Sequence, residues 1–486
     1  MLLPLALLLS TGVGAAWRVP LAHARAAGRH AELRATASTV VPSSADHLRR
    51  VYREIFDSFA SSREFAEQQW ARQPVLCRGV ANVAGSFTLD DVRDAVDSDF
   101  LEAGIGISDA GSGWKMAAVS EPRGTSYEDA KLRYIDVADG MQRGTVVFNS
   151  AGAHIPKLAA VCLAALEAFG LPNCLNLYLS GRGLKTSAPP HTDKQDVFVL
   201  QTAGSKHWRV FAPPDPSLRP KADPLARGKG NDVLSLEEMG EPLLETRLDP
   251  GDVLYVPAGY PHTTHTEPLP GDEDSPATAD SVHMTLGVDT HIWGLSILGA
   301  LQGALKRAKL DAMPAPTTLP AETYWELMRI PTSMGFLAQH AADEVGPALT
   351  GRELARASVM AEPQRWGGAS EADVVAQLGA DWVHAHLEQH REKLVRIQTE
   401  LYEEAVADDG SAIVPGMPRV TLLRVKPHMD KIEETMEEHV QWYAGSATPK
   451  IAPAGAAAST SGFGGTSKSA VSRKGKAKSG TKRKKR

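Results

Sequence analysis

The spacing of apolar residues changes along the chain and predicts helices first, strands next and helices again at the end. Over residues 46–72 the apolar side chains recur every three or four positions, which predicts one amphipathic helix. The segment PVLCRGV predicts a short strand, SFTLDDVRDAV a second helix, and residues 155–169 a third helix closed by Gly170. The N-terminal part of the fold is therefore expected to be largely helical.

From residue 175 the pattern becomes one of short apolar runs bounded by Gly, Pro, Asp or Ser, which is typical of strands and turns. Five such runs follow in order: CLNLYLS, DVFVLQT, KHWRVFA, GDVLYVPA and SVHMTLGV. Several strands in sequence predict a sandwich or a barrel. The segment TAGSKH predicts a tight hairpin turn between the second and third strands. Residues 215–245, rich in Pro, Gly and charge, predict a long inserted loop.

After His291 the pattern is mostly helical. Residues 372–408 predict a long helical stretch with one glycine, VTLLRVKP predicts an isolated strand, and MDKIEETMEEHVQWYAG predicts a last helix. No long apolar run follows the N-terminal one, so no membrane span is expected. The predicted class is α+β, with N-terminal helices, a β-rich core and a mostly helical C-terminal region.

Charge is unevenly distributed along the 486 residues. The net charge is −6, yet residues 467–486 contain ten Lys and Arg and no acid. This tail predicts an arm that contacts nucleic acid or the ribosome, or a nuclear localisation signal. Residues 448–486 as a whole are expected to be disordered. The three cysteines, Cys77, Cys162 and Cys174, are too few and too widely spread for a disulfide framework or a CxxC zinc site.

The first 45 residues have the composition of a targeting leader. Residues 1–16 resemble a signal peptide, because a short apolar core precedes small residues ending at Ala16. Residues 17–45 are rich in Arg and Ala, as transit peptides are. Together they resemble the leader of proteins imported into complex plastids, whereas the alternative is a secretory signal followed by a disordered spacer. The basic tail predicts a nuclear or nucleolar location instead, so the two ends favour different compartments.

The segment PPHTDKQDVFVLQTAGSKHW places His191 and Asp193 two positions apart at the start of a strand. Side chains i and i+2 of a strand point to the same face, so both can reach one point. A barrel brings the ends of distant strands to one mouth, and His262 follows the strand in LDPGDVLYVPAGYPHTTHTE. The three residues therefore predict a site of two histidines and one carboxylate, which is typical of non-haem Fe(II) oxygenases.

Two other histidines compete with His262 for the third ligand position. His265 follows three residues later and should point in another direction, because the chain there is expected to be irregular. His283 lies within SVHMTLGV and could face the interior of the barrel. We favour His262, because it comes directly after a buried strand.

Lys206 has two interpretations. We expect it on a strand paired, across the hairpin turn, with the one that follows His191. An unpaired ammonium is costly to bury, so a carboxylate cosubstrate inside the barrel would account for a lysine among apolar strand residues. The alternative is a surface lysine at the end of the hairpin, next to Gly204 and Ser205.

Three segments together resemble a known family: NLYLSGRGLKTSAPPHTDKQDVFVLQTAGSKHWRVFAP, LDPGDVLYVPAGYPHTTHTE and SVHMTLGV. In this order they resemble the JmjC-type cupin dioxygenases, closest to the ribosomal oxygenases, which hydroxylate histidine in ribosomal proteins. The resemblance covers residues 50–290. It implies a double-stranded β-helix (cupin or jelly roll) that binds Fe(II), with 2-oxoglutarate and O₂ as cosubstrates. The helical remainder resembles that subfamily's dimerisation and winged-helix region, which implies a homodimer.

The resemblance also implies roles for single residues. The family's metal positions coincide with His191, Asp193 and His262. Lys206 coincides with the lysine that pairs with the distal carboxylate of 2-oxoglutarate. Four further residues fall at or near the cosubstrate pocket: Asn176, Tyr178, Ser281 and Thr285.

The predicted organisation has five segments. They are a signal peptide (1–16), a transit-like or disordered leader (17–45), the JmjC/cupin dioxygenase domain (46–290), the helical C-terminal region (291–447) and the basic tail (448–486). The predicted activity is hydroxylation of a protein side chain, with a ribosomal protein as the expected substrate. Three alternatives stay open, namely a chromatin lysine demethylase, a tRNA-modifying hydroxylase and a non-catalytic metal-binding cupin.

Overall fold

A computed structural model describes twelve parts of the chain. They are residues 44–97, 114–118, 121–126, 134–213, 239–268, 279–288, 290–311, 318–330, 332, 334–340, 346–408 and 420–444. Almost all of the predicted leader, most of the predicted loop at 215–245 and the whole basic tail lie outside these residues. The last residues of the predicted loop are described. There the prediction is wrong, because Glu245 belongs to a strand that begins at Pro242.

The helices of the N-terminal part are α1 (Ser44–Ala60), α2 (Leu89–Asp97), α3 (Tyr134–Arg143) and α4 (Pro156–Phe169). The prediction of one helix over 46–72 is wrong, because α1 ends at Ala60 and a separate π-helical turn covers Phe65–Gln69. Two serines end the helix. Ser61 donates its hydroxyl hydrogen to the carbonyl of Asp57, and Ser62 accepts from the backbone N–H of Phe65. Such local side-chain bonds compete with helix continuation.

In the described residues, twelve strands form two antiparallel sheets. In chain order they are β1 (Val75–Cys77), β2 (Trp114–Ala118), β3 (Glu121–Ser126), β4 (Thr145–Phe148), β5 (Asn173–Ser180), β6 (Ala188–His191), β7 (Asp196–Ala203), β8 (Lys206–Phe211), β9 (Pro242–Leu248), β10 (Val253–Val256), β11 (His262–His265) and β12 (Ser281–Val288). The larger sheet has the order β1-β10-β7-β12-β5-β4-β2-β3, and the smaller has the order β6-β11-β8-β9. The five strands predicted from the apolar runs are all present.

The predicted hairpin at TAGSKH is wrong, because β7 belongs to the larger sheet and β8 to the smaller one. The turn at Gly204 and Ser205 therefore carries the chain from one sheet to the other. Gly204 has φ +56°, and a Cβ atom there would lie 2.3 Å from the carbonyl oxygen of Asp280. Only glycine fits this close approach of two backbones.

The larger sheet separates two apolar layers. Its outer face packs against α1 and α4 through residues such as Phe198 and Leu177. Its inner face packs against the smaller sheet, where Val199 and Leu254 meet Trp208 and Val210. Because strand side chains alternate, every second residue of β5, β7 and β12 points into the space between the sheets.

The C-terminal part is helical. Its helices are α5 (Ile297–Arg307), α6 (Ala321–Met328), α7 (Pro347–Ala361), α8 (Pro363–Trp366), α9 (Glu371–Leu378), α10 (Ala380–Ala407) and α11 (Val420–Tyr443). The glycine within the predicted long stretch is Gly379, whose φ of +67° ends α9 before α10 begins. Within the described residues no helix is both long and apolar enough to cross a membrane.

The strand predicted at VTLLRVKP is wrong, because these residues form the first part of α11, with Pro427 inside the helix. Tertiary packing overrides the β-branched composition here. Val425 is buried in the main core, and further along the helix Ile432 packs against Leu394 and Ile397 of α10. Helix propensity is a weak preference that such burial easily outweighs.

Candidate functional site

Three predicted residues meet at one end of the space between the sheets. His191, Asp193 and His262 each offer a ligand atom, and these atoms lie within 4.8 Å of one another. The ring centroids of the two histidines are 4.2 Å apart, and His262 Nε2 lies 3.6 Å from Asp193 Oδ2. Both histidines are buried and Asp193 is partly exposed. Across the described residues, no other cluster of histidine, cysteine and acidic side chains meets the same distance criterion.

Strand register brings the two histidines together. His191 is the last residue of β6, His262 is the first residue of β11, and the two are paired directly in the antiparallel ladder. Asp193 follows two residues after His191, beyond the end of the strand, so it approaches the same point from the loop before β7. The backbone N–H of Gly259 donates to the carbonyl of Asp193 at 2.8 Å and holds that loop in place.

Backbone carbonyls orient both imidazole rings. His191 Nδ1 lies 2.7 Å from the carbonyl oxygen of Pro189, and His262 Nδ1 lies 3.1 Å from that of Tyr260. A carbonyl oxygen only accepts hydrogen bonds, so each Nδ1 is the protonated nitrogen. The lone pair then belongs to Nε2, which is how a metal-binding histidine is commonly fixed by its second ring nitrogen.

The two competing histidines lie elsewhere. The ring of His265 stacks on that of His207 at 4.5 Å, and His265 is only partly buried. Burial and the nearby Arg209 lower the pKa of His265 from its ordinary value. His283 points into the space between the sheets, where it stacks on Tyr178 at 4.9 Å. Neither belongs to the group formed by His191, Asp193 and His262.

Lys206 is one of the most deeply buried polar residues, with 1% of its surface exposed. The interpretation as a surface lysine is therefore wrong. The expected strand pairing is also wrong, because β8 pairs with β9 and β11 and not with β7. Lys206 Nζ instead reaches across the interior and donates to Ser180 Oγ of β5 at 2.7 Å. Ser180 Oγ also lies 2.8 Å from Thr145 Oγ1, so the ammonium binds one of two hydroxyl groups that contact each other.

The other predicted pocket residues share the inner face of the larger sheet. Asn176 and Tyr178 alternate along β5 with core leucines, and Thr285 is paired with Asn176 across β12. Asn176 Oδ1 accepts from the backbone N–H of Ser150 at 2.8 Å. Ser281, at the start of β12, accepts instead from the amide of Gln201 at 3.0 Å.

Trp208 is a site residue that the sequence analysis missed. It lies two positions after Lys206 on β8 and therefore faces the same interior. Its indole ring stacks on His262 with centroids 5.6 Å apart and meets His283 edge-on. Its Nε1 is buried, and no acceptor for it is found in the described part of the chain. Because side chains two positions apart on a strand share a face, the position of Lys206 could have identified Trp208.

The donor set fits a divalent metal ion of the first transition series. Two imidazole nitrogens and one carboxylate would hold such an ion, and three protein ligands of this kind leave coordination positions for other ligands. A buried ammonium and an indole N–H at the same interior can meet an anionic organic ligand. The site combines three residues that could hold a metal ion with polar side chains on the inner face of the larger sheet.

We next compared the chain with known protein families and proteins. Residues 157–290 match the JmjC domain family. The chain is 36% identical over 135 residues to the bifunctional lysine-specific demethylase and histidyl-hydroxylase NO66 of Drosophila mojavensis, which is 28% of this chain and 13% of that protein. It is 29% identical over 267 residues to ribosomal oxygenase 1 of Gallus gallus, covering 54% of this chain and 41% of that protein. It is 25% identical over 393 residues to ribosomal oxygenase 1 of Danio rerio, covering 73% of this chain and 66% of that protein. The chain thus spans less than two thirds of these relatives.

Solved structures of the Escherichia coli ribosomal oxygenase YcfD are also similar. One is 17% identical with a TM-score of 0.32, covering 60% of this chain and 70% of that chain. Another, described as a complex with cobalt and 2-oxoglutarate, is 14% identical with a TM-score of 0.33, covering 67% and 69%.

Proposed function

We propose that the JmjC domain of this chain is the catalytic part of an Fe(II)- and 2-oxoglutarate-dependent oxygenase that hydroxylates a protein side chain. The observation that carries the proposal is the convergence of His191, Asp193 and His262, whose ligand atoms lie within 4.8 Å of one another. Such a triad is typical of non-haem Fe(II) oxygenases. The family match over residues 157–290 supports it, because all three residues lie within that range.

The metal would supply the oxidising chemistry when it is bound with 2-oxoglutarate and O₂. One oxygen atom of O₂ enters succinate as CO₂ leaves, and the other enters the substrate C–H bond to give a hydroxyl group. The protein's own part is positioning. His191, Asp193 and His262 would hold the metal through imidazole nitrogen and carboxylate oxygen atoms, and the carbonyls of Pro189 and Tyr260 fix the two rings.

The cosubstrate would lie between the metal triad and Lys206. The Lys206 ammonium is desolvated and reaches Ser180 across the interior. A carboxylate there would gain a charge-assisted hydrogen bond in a site that excludes water. Asn176, Tyr178 and Thr285 line the same inner face and would bound the pocket. This assignment keeps Lys206, Asn176, Tyr178 and Thr285 as proposed cosubstrate residues.

We propose that the core is a double-stranded β-helix. The order of the strands supports this topology, because the chain alternates between the sheets from β5 to β8 and again from β9 to β12. In such a fold, metal ligands from distant strands meet at one open end. The domain limits 46–290 and 291–447 remain predictions.

The proposed substrate is a ribosomal protein. The names of the relatives, ribosomal oxygenase 1 and a histidyl-hydroxylase, support this choice. A lysine demethylase is the second candidate, since one relative carries both names. The basic residues 467–486 would provide contact with ribosomal RNA, and deleting them should weaken binding in a salt-dependent way. A homodimer and a plastid location are also proposals, and both rest on the sequence alone.

Turnover with a defined variant pair tests the proposal. The protein is incubated with Fe(II), 2-oxoglutarate and ribosomal proteins, and succinate is measured together with a +16 Da mass shift. We expect His191→Ala to abolish both signals without unfolding the chain. The matched control is His265→Ala, which removes a histidine outside the triad and should keep both the succinate and the +16 Da signal. Tightly held zinc with no 2-oxoglutarate turnover would favour the non-catalytic cupin instead.

A further inference from the structure

Asp196 is a buried acid that the proposed chemistry does not use. It is the first residue of β7, three positions after Asp193, and 1% of its surface is exposed. Burial raises the pKa of its carboxyl group to about 7. A carboxyl group in such a place is costly unless its hydrogen bonds are satisfied. Its partners therefore indicate what it holds.

Those partners lie on and beside the strand that leads to His262. Asp196 Oδ1 accepts a hydrogen bond from the hydroxyl of Tyr255 at 2.6 Å and from the backbone N–H of Ala258 at 3.3 Å. Tyr255 belongs to β10, and Ala258 is the second residue of the loop that connects β10 to β11. The Tyr255 hydroxyl also accepts from the backbone N–H of Ala71 at 2.7 Å, which anchors it on the other side.

The next residue of the loop binds the metal-site loop directly. Gly259 donates its backbone N–H to the carbonyl of Asp193 at 2.8 Å. Two hydrogen bonds, Ala258 to Asp196 and Gly259 to Asp193, thus run side by side between the same two segments. Together they connect the segment that carries Asp193 to the loop before His262.

The far end of that loop determines where His262 lies. The carbonyl of Tyr260 faces His262 Nδ1 at 3.1 Å, and the carbonyl of Pro261 accepts from the N–H of Phe211 at 2.8 Å. The loop is therefore held at both ends, by Asp196 at its start and by β8 next to His262. A shift at its start would move the peptide that fixes the His262 ring.

We propose that Asp196 is a positioning residue, which joins the two arms of the metal site by holding the 257–261 loop against the segment that carries Asp193. The inference rests on the proposed metal site. Asp196 would act on the metal ligands indirectly, through Ala258, Gly259 and Tyr260. Partners of metal ligands typically change metal affinity about 10–100-fold when they are lost.

Cobalt binding to the full chain tests the role without turnover. The visible absorption of Co²⁺ gives its dissociation constant for each folded variant, and thermal unfolding gives stability separately. We expect Asp196→Ala to weaken Co²⁺ binding about 10–100-fold. Asp196→Asn keeps an acceptor oxygen and should restore an affinity close to wild type. A purely structural role for Asp196 would lower the melting temperature but leave the affinity of the folded protein unchanged.

Tyr255→Phe keeps the test decisive if Asp196→Ala does not fold. It removes the donor to Asp196 but keeps the aromatic packing, and we expect Co²⁺ affinity to fall severalfold. The matched control is Tyr52→Phe, which removes the hydroxyl of an equally buried tyrosine whose hydrogen-bond partner is Ser86. Equal affinities for Tyr255→Phe, Tyr52→Phe and wild type would overturn the inference. Wild-type affinity in His191→Ala would instead overturn the metal site on which it rests.

Discussion

His191 and His262 face each other directly across the antiparallel pair of β6 and β11, with ring centroids 4.2 Å apart. Their contact depends on strand register. A shift of one residue would turn one of the two side chains to the opposite face of the sheet. The proposed metal site therefore depends on how two distant strands pair, and the sequence motif with His191 and Asp193 supplies only two of its three residues.

Removing one of these histidines should remove the metal but not the fold. We expect His262→Ala to abolish high-affinity Co²⁺ binding, because two ligands cannot replace three in an open site. His265→Ala changes the other histidine of β11 and should bind Co²⁺ as wild type does. Isothermal titration of both variants, with circular dichroism as the control for folding, checks the difference. Equal binding by His262→Ala and His265→Ala would exclude His262 as a ligand.

Lys206→Met should separate cosubstrate binding from stability. Losing the ammonium that would pair with 2-oxoglutarate should cost about 2 kcal/mol or more, which corresponds to a rise of about 30-fold in KM for 2-oxoglutarate. The free energy of unfolding without cosubstrate should not fall, because an apolar side chain of similar length is cheaper to bury than an ammonium. Steady-state kinetics and urea unfolding measure the two effects. An unchanged KM would remove Lys206 from the cosubstrate site.

Three stacked histidines should make the C-terminal helices sensitive to acid. His386 and His390 of α10 and His439 of α11 lie ring on ring, and His386 Nε2 is 2.9 Å from His439 Nδ1. Burial lowers their pKa values from 6.5 to about 3, 4 and 2, in that order, and nearby Arg307 and Lys393 add to the effect at His386. The folded protein thus keeps them neutral while the unfolded chain binds protons below pH 6.5. The contribution of these histidines to stability is complete above that pH and should fall by about 1 kcal/mol per histidine for each pH unit below it.

Urea unfolding at pH 7.5 and pH 5.5 measures this loss. The double variant His386→Phe/His439→Leu removes two of the three groups, so its loss between the two pH values should be smaller than the wild-type loss by about 2 kcal/mol. Val440→Gln alters an exposed side chain of the same helix and should show the full wild-type loss. The idea fails if the double variant loses as much stability as wild type does.

The leader and the basic tail make opposite predictions about location. With a fluorescent tag at the C-terminus, a chain whose leader operates should lose residues 1–16 and accumulate in plastids of an alga that has complex plastids. Mass spectrometry of the N-terminal peptide and microscopy read out both effects. An intact Met1 together with nuclear fluorescence would contradict the plastid proposal. Deleting residues 467–486 is the matched test of the nuclear alternative.

The sequence predicts the local features of the site well. The i, i+2 spacing of His191 and Asp193, the apolar runs of the strands and the buried strand before His262 all depend on neighbouring residues. The hairpin at Gly204 was wrong for the opposite reason. A turn between two apolar runs indicates that the chain reverses direction, but the sheet that receives the next strand is chosen by distant partners.

The same limit explains what was missed at the proposed cosubstrate site. Lys206 was identified, but its contact with Ser180 joins strands of different sheets and has no local signature. Asp196 gave no signal either, since an acid before an apolar run also fits an ordinary strand start. In the helical part, the burial of Val425 could not be read from VTLLRVKP alone, because its partners come from elsewhere in the chain.

Helix α10 is fastened to the first residue of β5. Gln398 accepts the backbone N–H of Asn173 and Tyr402 donates to its carbonyl, both at 2.9 Å, while Arg391 donates to the carbonyl of Gly170 at 3.0 Å. The strand that carries Asn176 and Tyr178 is thus completed by residues more than two hundred positions later in the chain. The match to the JmjC domain family ends at residue 290, before α10. A fragment cut there would lose the contacts that hold the start of β5, the strand of two proposed cosubstrate residues.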